Sequence, residues 1–342
     1  MNLLLVSLLF FVPNGIGVPG QDAPLPTTPP APVMAVAAAP DGKAVLAGDG
    51  DGYVSRWSGD DTLSRAPLGQ LPGAVQAVAW GKAGAWLGTD DGTVATITTV
   101  AQPVAEHPGG VTSLALSPDG EVVASGGQDG TIRFWSLQGV ALGLLHAHEG
   151  AVAGLAVEPG SQPRLWSAGW DGKLRAWRFP RGIRPGQRGA TSTRQGSLAR
   201  GAARSKAASK PVLDKPLVWL NVSRRELAGV AFGGETLVTC GYDGAVLPFE
   251  LERRKLRPVD VAARQNAEWV LSVAGSERRV VGVASAEQTL LVVDLKHPER
   301  APAALPQAVA PSSVTFLAPR ELAVGQFDGR VVRVRLPALE GE

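Results

Sequence analysis

The dipeptide Asp-Gly recurs along this chain of 342 residues at a nearly constant interval, each time between short apolar segments. The six copies begin at Asp51, Asp91, Asp129, Asp171, Asp243 and Asp328. The first three intervals are 40, 38 and 42 residues. The fourth interval, of 72 residues, contains a basic insertion. The fifth interval, of 85 residues, is divided by a degenerate copy at Glu287-Gln288. The chain therefore holds seven copies of a unit of about 40 residues, the length of one four-stranded propeller blade.

The third copy, residues 111–137, illustrates the composition of the unit. Short apolar segments alternate with turn residues, first at Ser117-Pro118-Asp119-Gly120 and then at Asp129-Gly130. The segment that follows is rich in β-branched and aromatic residues, and helical periodicity is absent. This pattern predicts an all-β chain in which residues 21–342 form a closed, seven-bladed β-propeller of four-stranded blades.

Two copies carry the same four polar and aromatic residues at matching positions. They are His107, Ser125, Asp129 and Trp135 in the third copy, and His148, Ser167, Asp171 and Trp177 in the fourth. With these residues the chain resembles the WD-repeat (tryptophan–aspartate repeat) β-propeller family. The resemblance implies that each set forms a hydrogen-bonded network that ties the turn to its blade. Simple chemistry agrees, because a buried Asp needs donors and His, Ser and the Trp N–H are donors.

The remaining copies are less complete. Copy one has Ala47 at the Ser position, copy five has Phe249 at the Trp position, and copy six has lost the Asp. Copy seven supplies only three strands before Leu336, so its outer strand must come from another part of the chain. We expect residues 22–30 to supply it, because they are the only spare segment in the right place.

Residues 1–20 differ from the rest of the chain. An apolar stretch is followed by Pro13-Asn14-Gly15 and by small residues before Gln21, which is the layout of a secretory signal peptide. The apolar stretch is too short to span a bilayer. We therefore expect an exported protein, periplasmic or extracellular, with a cytoplasmic protein as the alternative because no basic residue precedes the apolar stretch. The single Cys240 cannot form an internal disulfide, and we expect it to be a small buried side chain.

A basic insertion at 180–215 interrupts copy four. It carries Arg181, Arg184, Arg188, Arg194, Arg200, Arg204, Lys206, Lys210 and Lys215, offset only by Asp214. With few large apolar side chains it cannot build a core of its own, and we expect a disordered loop between the third and fourth strands of blade four. It could bind an anionic surface through residues 181–215, or it could be a tolerated, solubilising insertion. No aromatic residue lies among the charges, so we expect no specific nucleic-acid partner.

Motifs for catalysis or cofactor binding are absent from the sequence. None of the four His has metal-ligand spacing, and there is no nucleophile elbow, phosphate-binding loop or dinucleotide fingerprint. We therefore predict no catalytic residue, no metal and no cofactor, and hence a protein that is not an enzyme. The rival hypothesis is an enzyme or small-ligand sensor that uses the central channel. It requires polar, titratable side chains to converge at one mouth of that channel.

The residue before each turn Asp should lie at a loop tip on one face of the disc. Across the copies it is Gly50, Asp90, Gln128, Trp170, Tyr242, Ala286 and Phe327. Trp170, Tyr242 and Phe327, together with Trp269 near the same face, predict a protein-binding surface, since Trp and Tyr dominate interface hot spots. The alternative is that these rings pack on neighbouring loops. By analogy with the family we expect a non-enzymatic interaction scaffold, monomeric, that presents this loop face to a protein partner.

Overall fold

The computed structural model describes residues 31–59, 62–97, 101–160, 163–180, 215–223, 225–252, 255–259, 269–284, 287–298, 300 and 302–339. These residues form 27 β-strands in seven antiparallel sheets, which we number as blades 1–7 in chain order. In the described part of the chain no helix is long and apolar enough to cross a membrane.

Blades 1–4 contain the first sixteen strands. Their bounds are β1 Val33–Ala38, β2 Ala44–Asp49, β3 Tyr53–Ser58, β4 Ser64–Gln70, β5 Val75–Gly81, β6 Gly84–Thr89, β7 Thr93–Ile97, β8 Ala101–Glu106, β9 Val111–Leu116, β10 Val122–Gly127, β11 Thr131–Ser136, β12 Ala141–His146, β13 Val152–Val157, β14 Arg164–Gly169, β15 Lys173–Arg178 and β16 Val218–Asn221. Blades 5–7 contain β17 Leu227–Gly233, β18 Thr236–Gly241, β19 Val246–Glu252, β20 Lys255–Pro258, β21 Ser272–Gly275, β22 Arg279–Ala284, β23 Thr289–Asp294, β24 Ala303–Pro306, β25 Pro311–Ala318, β26 Glu321–Gln326 and β27 Val331–Arg335.

The seven sheets form a closed ring. Each blade is a meander whose first strand lies innermost, and the first strand of each blade contacts the first strand of the next. Blade 7 meets blade 1 through the Ser312 hydroxyl, which donates to the carbonyl of Val33, and through the Ala38 N–H, which lies 3.4 Å from Thr315 Oγ1. The predicted all-β, seven-bladed propeller is therefore confirmed.

The core lies between adjacent blades. Ile132 and Phe134 of blade 3, for example, pack with Val152, Leu165 and Trp177 of blade 4. The middle strands are buried on both faces because each faces a neighbouring sheet on either side. Burial of this kind stabilises the folded chain by about 25 cal/mol per Å² of apolar surface removed from water. Each blade buries such surface against both of its neighbours.

The Asp-Gly turns need glycine because of their backbone conformation. Gly130 has φ 76°, and a Cβ there would lie 2.3 Å from the carbonyl oxygen of His148. Blade 6 has Gln288 at the equivalent position. Its φ is 51°, and among the described residues it is the only one besides glycine with positive φ. The degenerate copy at Glu287-Gln288 therefore keeps the turn without the glycine.

Blade 7 contains three strands within the described residues, ending with β27. The chain of blade 4 leaves the sheet after β15 and returns at β16, so the predicted basic insertion falls between the third and fourth strands of that blade. Residues 181–214, the predicted outer strand at 22–30 and the predicted signal peptide at 1–20 lie outside the described residues.

Candidate functional site

The turns between the second and third strands and the loops between blades interlock on one face of the disc, which we call the loop face. The Gly92 carbonyl accepts the His107 N–H at 2.7 Å, and the Gly130 carbonyl accepts the Ala147 N–H at 2.9 Å. In blade 5 the Tyr242 N–H donates to the Glu226 carbonyl at 3.1 Å. Each turn therefore abuts a loop between blades, and side chains from both lie side by side on this face.

In blade 4 the four residues shared with blade 3 form one connected network. His148 Nδ1 lies 2.8 Å from Asp171 Oδ1 and its Nε2 lies 2.7 Å from Ser167 Oγ. The Trp177 indole N–H donates to the same Ser167 oxygen at 2.8 Å. Arg175, which the sequence pattern did not single out, donates to Asp171 Oδ2 at 2.7 Å.

The charges in this network follow from its partners. Burial lowers the pKa of His148 more strongly than the neighbouring Asp171 carboxylate raises it, so the imidazole is neutral at pH 7. Burial opposes ionisation of Asp171, but hydrogen bonds from His148 and Arg175 outweigh it and hold the pKa of this carboxyl well below its usual range. His148 Nδ1 lies between two partners of opposite character, the Asp171 carboxylate, which only accepts, and the Arg175 guanidinium, which only donates and lies 2.6 Å from Nδ1.

Ser167, His148 and Asp171 are connected in the order found in nucleophilic hydrolases. The likeness to a hydrolase triad does not extend to catalysis. Ser167 is fully buried, and its oxygen already accepts the indole N–H of Trp177. A nucleophile must be accessible to its substrate, so we assign this buried network a role in stabilising the fold.

Blade 3 holds the same residues with the imidazole turned over. His107 Nδ1 lies 2.9 Å from Ser125 Oγ, and Trp135 donates to that oxygen at 2.8 Å. His107 Nε2 lies 2.9 Å from Thr131 Oγ1, and the Thr131 hydroxyl donates to Asp129 Oδ1 at 2.7 Å. Thr131 thus connects the imidazole to the carboxylate. Burial lowers the pKa of His107 to about 4, against the opposing charge of Asp129.

The less complete blades use substitutes that the sequence pattern did not reveal. In blade 1 the Trp57 N–H donates to Ser55 at 2.9 Å, in place of the hydroxyl missing at Ala47. In blade 5 the Ser223 hydroxyl donates to Asp243 Oδ2 at 2.8 Å. Ser223 precedes Leu227 by four residues, as His107 precedes Val111, so the spacing alone could have identified it.

The predicted protein-binding residues lie on the loop face, with different exposures. Trp170 is 50% exposed, Phe327 43% and Trp269 37%. Tyr242 is half-buried and packs edge-on against Trp269, with ring centroids 6.1 Å apart. Packing on neighbouring loops thus holds in part for the pair Tyr242 and Trp269, while Trp170 and Phe327 present the larger exposed areas to solvent.

The central channel opens on this face. A cavity of about 380 Å³ is lined by all seven inner strands, and Tyr242 and Phe327 also line it. Several channel hydroxyls connect neighbouring blades. Ser113 Oγ, for example, donates to the Val152 carbonyl at 3.1 Å. Among the described residues that line the cavity, Tyr242 is the only titratable one, and burial raises its pKa.

Comparison with known proteins agrees with this geometry. The family described as "WD domain, G-beta repeat" matches residues 99–136, which include the complete set His107, Ser125, Asp129 and Trp135. The crystal structure of the WD40 β-propeller domain of Doa1 superimposes with a TM-score of 0.66 over 92% of this chain and 93% of that one, at 18% identity. The chain is a WD-repeat β-propeller.

Relatives of this WD-repeat propeller match it locally. Periodic tryptophan protein 2 homolog of Dictyostelium discoideum is 37% identical over 73 residues, which is 21% of this chain and 8% of that protein. Striatin-3 of Mus musculus is 40% identical over 83 residues, covering 21% and 10%. WD repeat-containing protein 86 of Homo sapiens is 47% identical over 49 residues, covering 14% and 13%. The matched segments thus span about a tenth of these relatives.

Proposed function

We propose that this WD-repeat propeller is a non-enzymatic scaffold that binds a protein partner on its loop face. Trp170, Tyr242, Trp269 and Phe327 would form the centre of the contact. Large rings of this kind contribute much of the energy of protein interfaces, because they bury wide areas with little loss of side-chain entropy.

One observation carries the proposal. At equivalent loop tips, blades 1–3 have Gly50, Asp90 and Gln128, whereas blades 4 and 7 have Trp170 and Phe327 with half or nearly half of their surface exposed. The turn itself does not require an aromatic residue at this position, since blades 1–3 form it without one. Exposed aromatic rings that the fold does not need favour a binding role.

The rival function, catalysis or small-ligand sensing in the channel, has less support. It requires converging titratable groups, whereas the described lining contains Tyr242 and otherwise neutral side chains. Hydroxyls such as Ser113 and Ser312 already donate to inner-strand carbonyls of the next blade. These observations favour binding at the mouth of the channel over chemistry within it.

The test compares two tryptophan substitutions of similar exposure. Trp170→Ala, combined with Phe327→Ala, removes the exposed rings of the loop face. Trp219→Ala removes a ring that is 61% exposed on β16, the outermost strand of blade 4. Each variant, with its fold checked by circular dichroism, serves as bait in extracts of the native host, with bound proteins measured by quantitative mass spectrometry. We expect a stoichiometric partner to be lost only with the loop-face variant; equal capture by both variants would refute the proposal.

We also propose that the protein is exported, on the basis of the apolar stretch in residues 1–20. Intact mass measurement of the protein from its host tests this directly. A mature chain that begins near Gln21 is the expected result. A chain that retains Met1 and fractionates with the cytoplasm would contradict export.

A further inference from the structure

We propose that the partner segment that docks on the loop face is cationic and rich in arginine. This inference rests on the proposed function and specifies the chemistry of its partner. It is carried by the charge that surrounds the exposed rings, considered together with the rings themselves.

In the described part of the chain, the turns and loops of this face carry many more carboxylates than cations. The described acidic residues are Asp51, Asp90, Asp91, Asp129, Glu149, Asp171, Glu226, Asp243, Glu287 and Asp328. The described basic residues of the same turns and loops are Arg225 and Arg330, with Lys173 and Arg175 at the adjoining end of β15, where Arg175 is paired with Asp171. The field above the channel mouth is therefore negative and attracts a cationic partner.

Turn geometry explains only some of these carboxylates. Asp129, Asp243 and Asp328 each accept the backbone N–H of the residue two positions later. Glu149, Glu226 and Glu287 are exposed at loop positions where no such bond is required, and the nearest cation to Glu149 is Lys173 at 3.9 Å. These three exposed carboxylates are not needed to form the turns and are therefore available to contact a partner.

The opposite face does not share this bias. Its exposed charges include Asp41, Asp119, Glu121, Glu235 and Glu277 together with Lys43, Lys82, Arg178, Lys215, Lys296 and Arg300. An acidic surface is thus a property of the loop face, where the rings are, and does not follow from the composition of the chain, whose net charge is +2.

The rings select arginine among cations. A guanidinium is planar and weakly hydrated, so it stacks on aromatic faces while its N–H groups bond to carboxylates. Glu226 is directly connected to the aromatic pair, because its carbonyl accepts the Tyr242 N–H and Tyr242 packs on Trp269. Rings and carboxylates are therefore close enough for one arginine-containing segment to contact both.

The test measures binding of a fluorescent peptide of alternating Arg and Gly to the full chain by anisotropy. Parallel peptides carry Lys or Gln in place of Arg. We expect affinity to fall in the order Arg, Lys, Gln, and the affinity for the Arg peptide to fall by about tenfold between roughly 50 and 300 mM NaCl.

The variant Glu149→Gln/Glu226→Gln/Glu287→Gln should weaken Arg-peptide binding by about tenfold, as should Trp170→Ala/Phe327→Ala. The matched control Glu121→Gln/Glu235→Gln/Glu277→Gln, on the opposite face, should bind as the unmodified protein does.

The outcomes separate this inference from the proposed function. If the aromatic variant loses its host partner while the loop-face glutamine variant captures it normally, the scaffold proposal stands and the cationic partner is wrong. Equal affinity for the Arg and Gln peptides would also overturn the inference. Self-association that depends on the three loop-face glutamates, detected by light scattering, would make a second copy the occupant and would overturn the assignment to a separate partner.

Discussion

Trp177 donates its indole N–H to the hydroxyl of Ser167 across 2.8 Å, and both side chains are buried. Trp177 also packs against residues of blade 3, so the bond connects the core between two blades to the network in blade 4. The network continues from Ser167 through His148 to Asp171, which holds the turn on the loop face. Packing between blades and the position of the loop-face residues therefore depend on each other.

Trp177→Phe should lower the free energy of unfolding by about 1–2 kcal/mol, because it removes a buried donor from Ser167. Blade 5 supplies the control, since it already has Phe249 at the Trp position. There the buried Thr239 hydroxyl has no hydrogen-bond partner among the described residues. Thr239→Val should therefore be neutral or stabilising in the same urea titration. Equal losses for the two variants would mean that the indole bond contributes nothing.

Gln288→Gly should stabilise the protein by about 0.5–1 kcal/mol. Glycine has no Cβ and therefore adopts the left-handed backbone conformation of this position without the steric strain that glutamine has there. The opposite change, Gly130→Ala, should destabilise by about 2 kcal/mol or more, since its Cβ would lie 2.3 Å from the His148 carbonyl oxygen. Thermal unfolding of the two variants beside the parent checks both signs. A lower melting temperature for Gln288→Gly would show that the glutamine side chain makes a stabilising contact.

The blade architecture could be predicted from the sequence because it follows from local rules. An Asp-Gly pair forms the same turn wherever it occurs, and the period of about 40 residues fixes the number of strands between turns. The same logic aligned Glu287-Gln288 with the other turns, and Gln288 has the positive φ of the glycines it replaces.

The parts that sequence analysis missed depend on which side chains meet in space. Thr131 connects His107 to Asp129, and Arg175 binds Asp171. Neither of these two positions has the same residue type in every blade. The negative field of the loop face arises from residues such as Asp51 and Glu287, more than 200 positions apart in the chain. They share one face only after the ring has closed.

Acidification should destabilise the protein, beginning near pH 6.5. Burial lowers the pKa of His107 to about 4, whereas an unfolded His titrates near 6.5. Between these values the unfolded chain binds more protons, so stability falls as the pH falls. Between pH 7 and pH 5 the loss from His107 should be about 2 kcal/mol. His148, and at lower pH Asp129 and Asp171, have lowered pKa values and act in the same direction.

Urea titrations at several pH values measure this dependence, and His107→Gln is the informative variant. It should be less stable at pH 7 but should lose less stability between pH 7 and pH 5 than the parent protein. An unchanged slope would show that His107 does not titrate differently in the folded and unfolded chains.

Removal of residues 21–30 should lower the melting temperature by about 5 °C or more, because blade 7 needs an outer strand. The Leu336 N–H bonds to the Arg320 carbonyl and the Gln326 N–H to the Arg330 carbonyl. Since bonding alternates along an antiparallel strand, the backbone groups of Val331, Arg333 and Arg335 point away from β26. A segment that pairs with them would complete the blade. Removal of residues 1–20 alone is the control and should leave melting unchanged, whereas equal melting of both truncated proteins would exclude residues 21–30 as the missing strand.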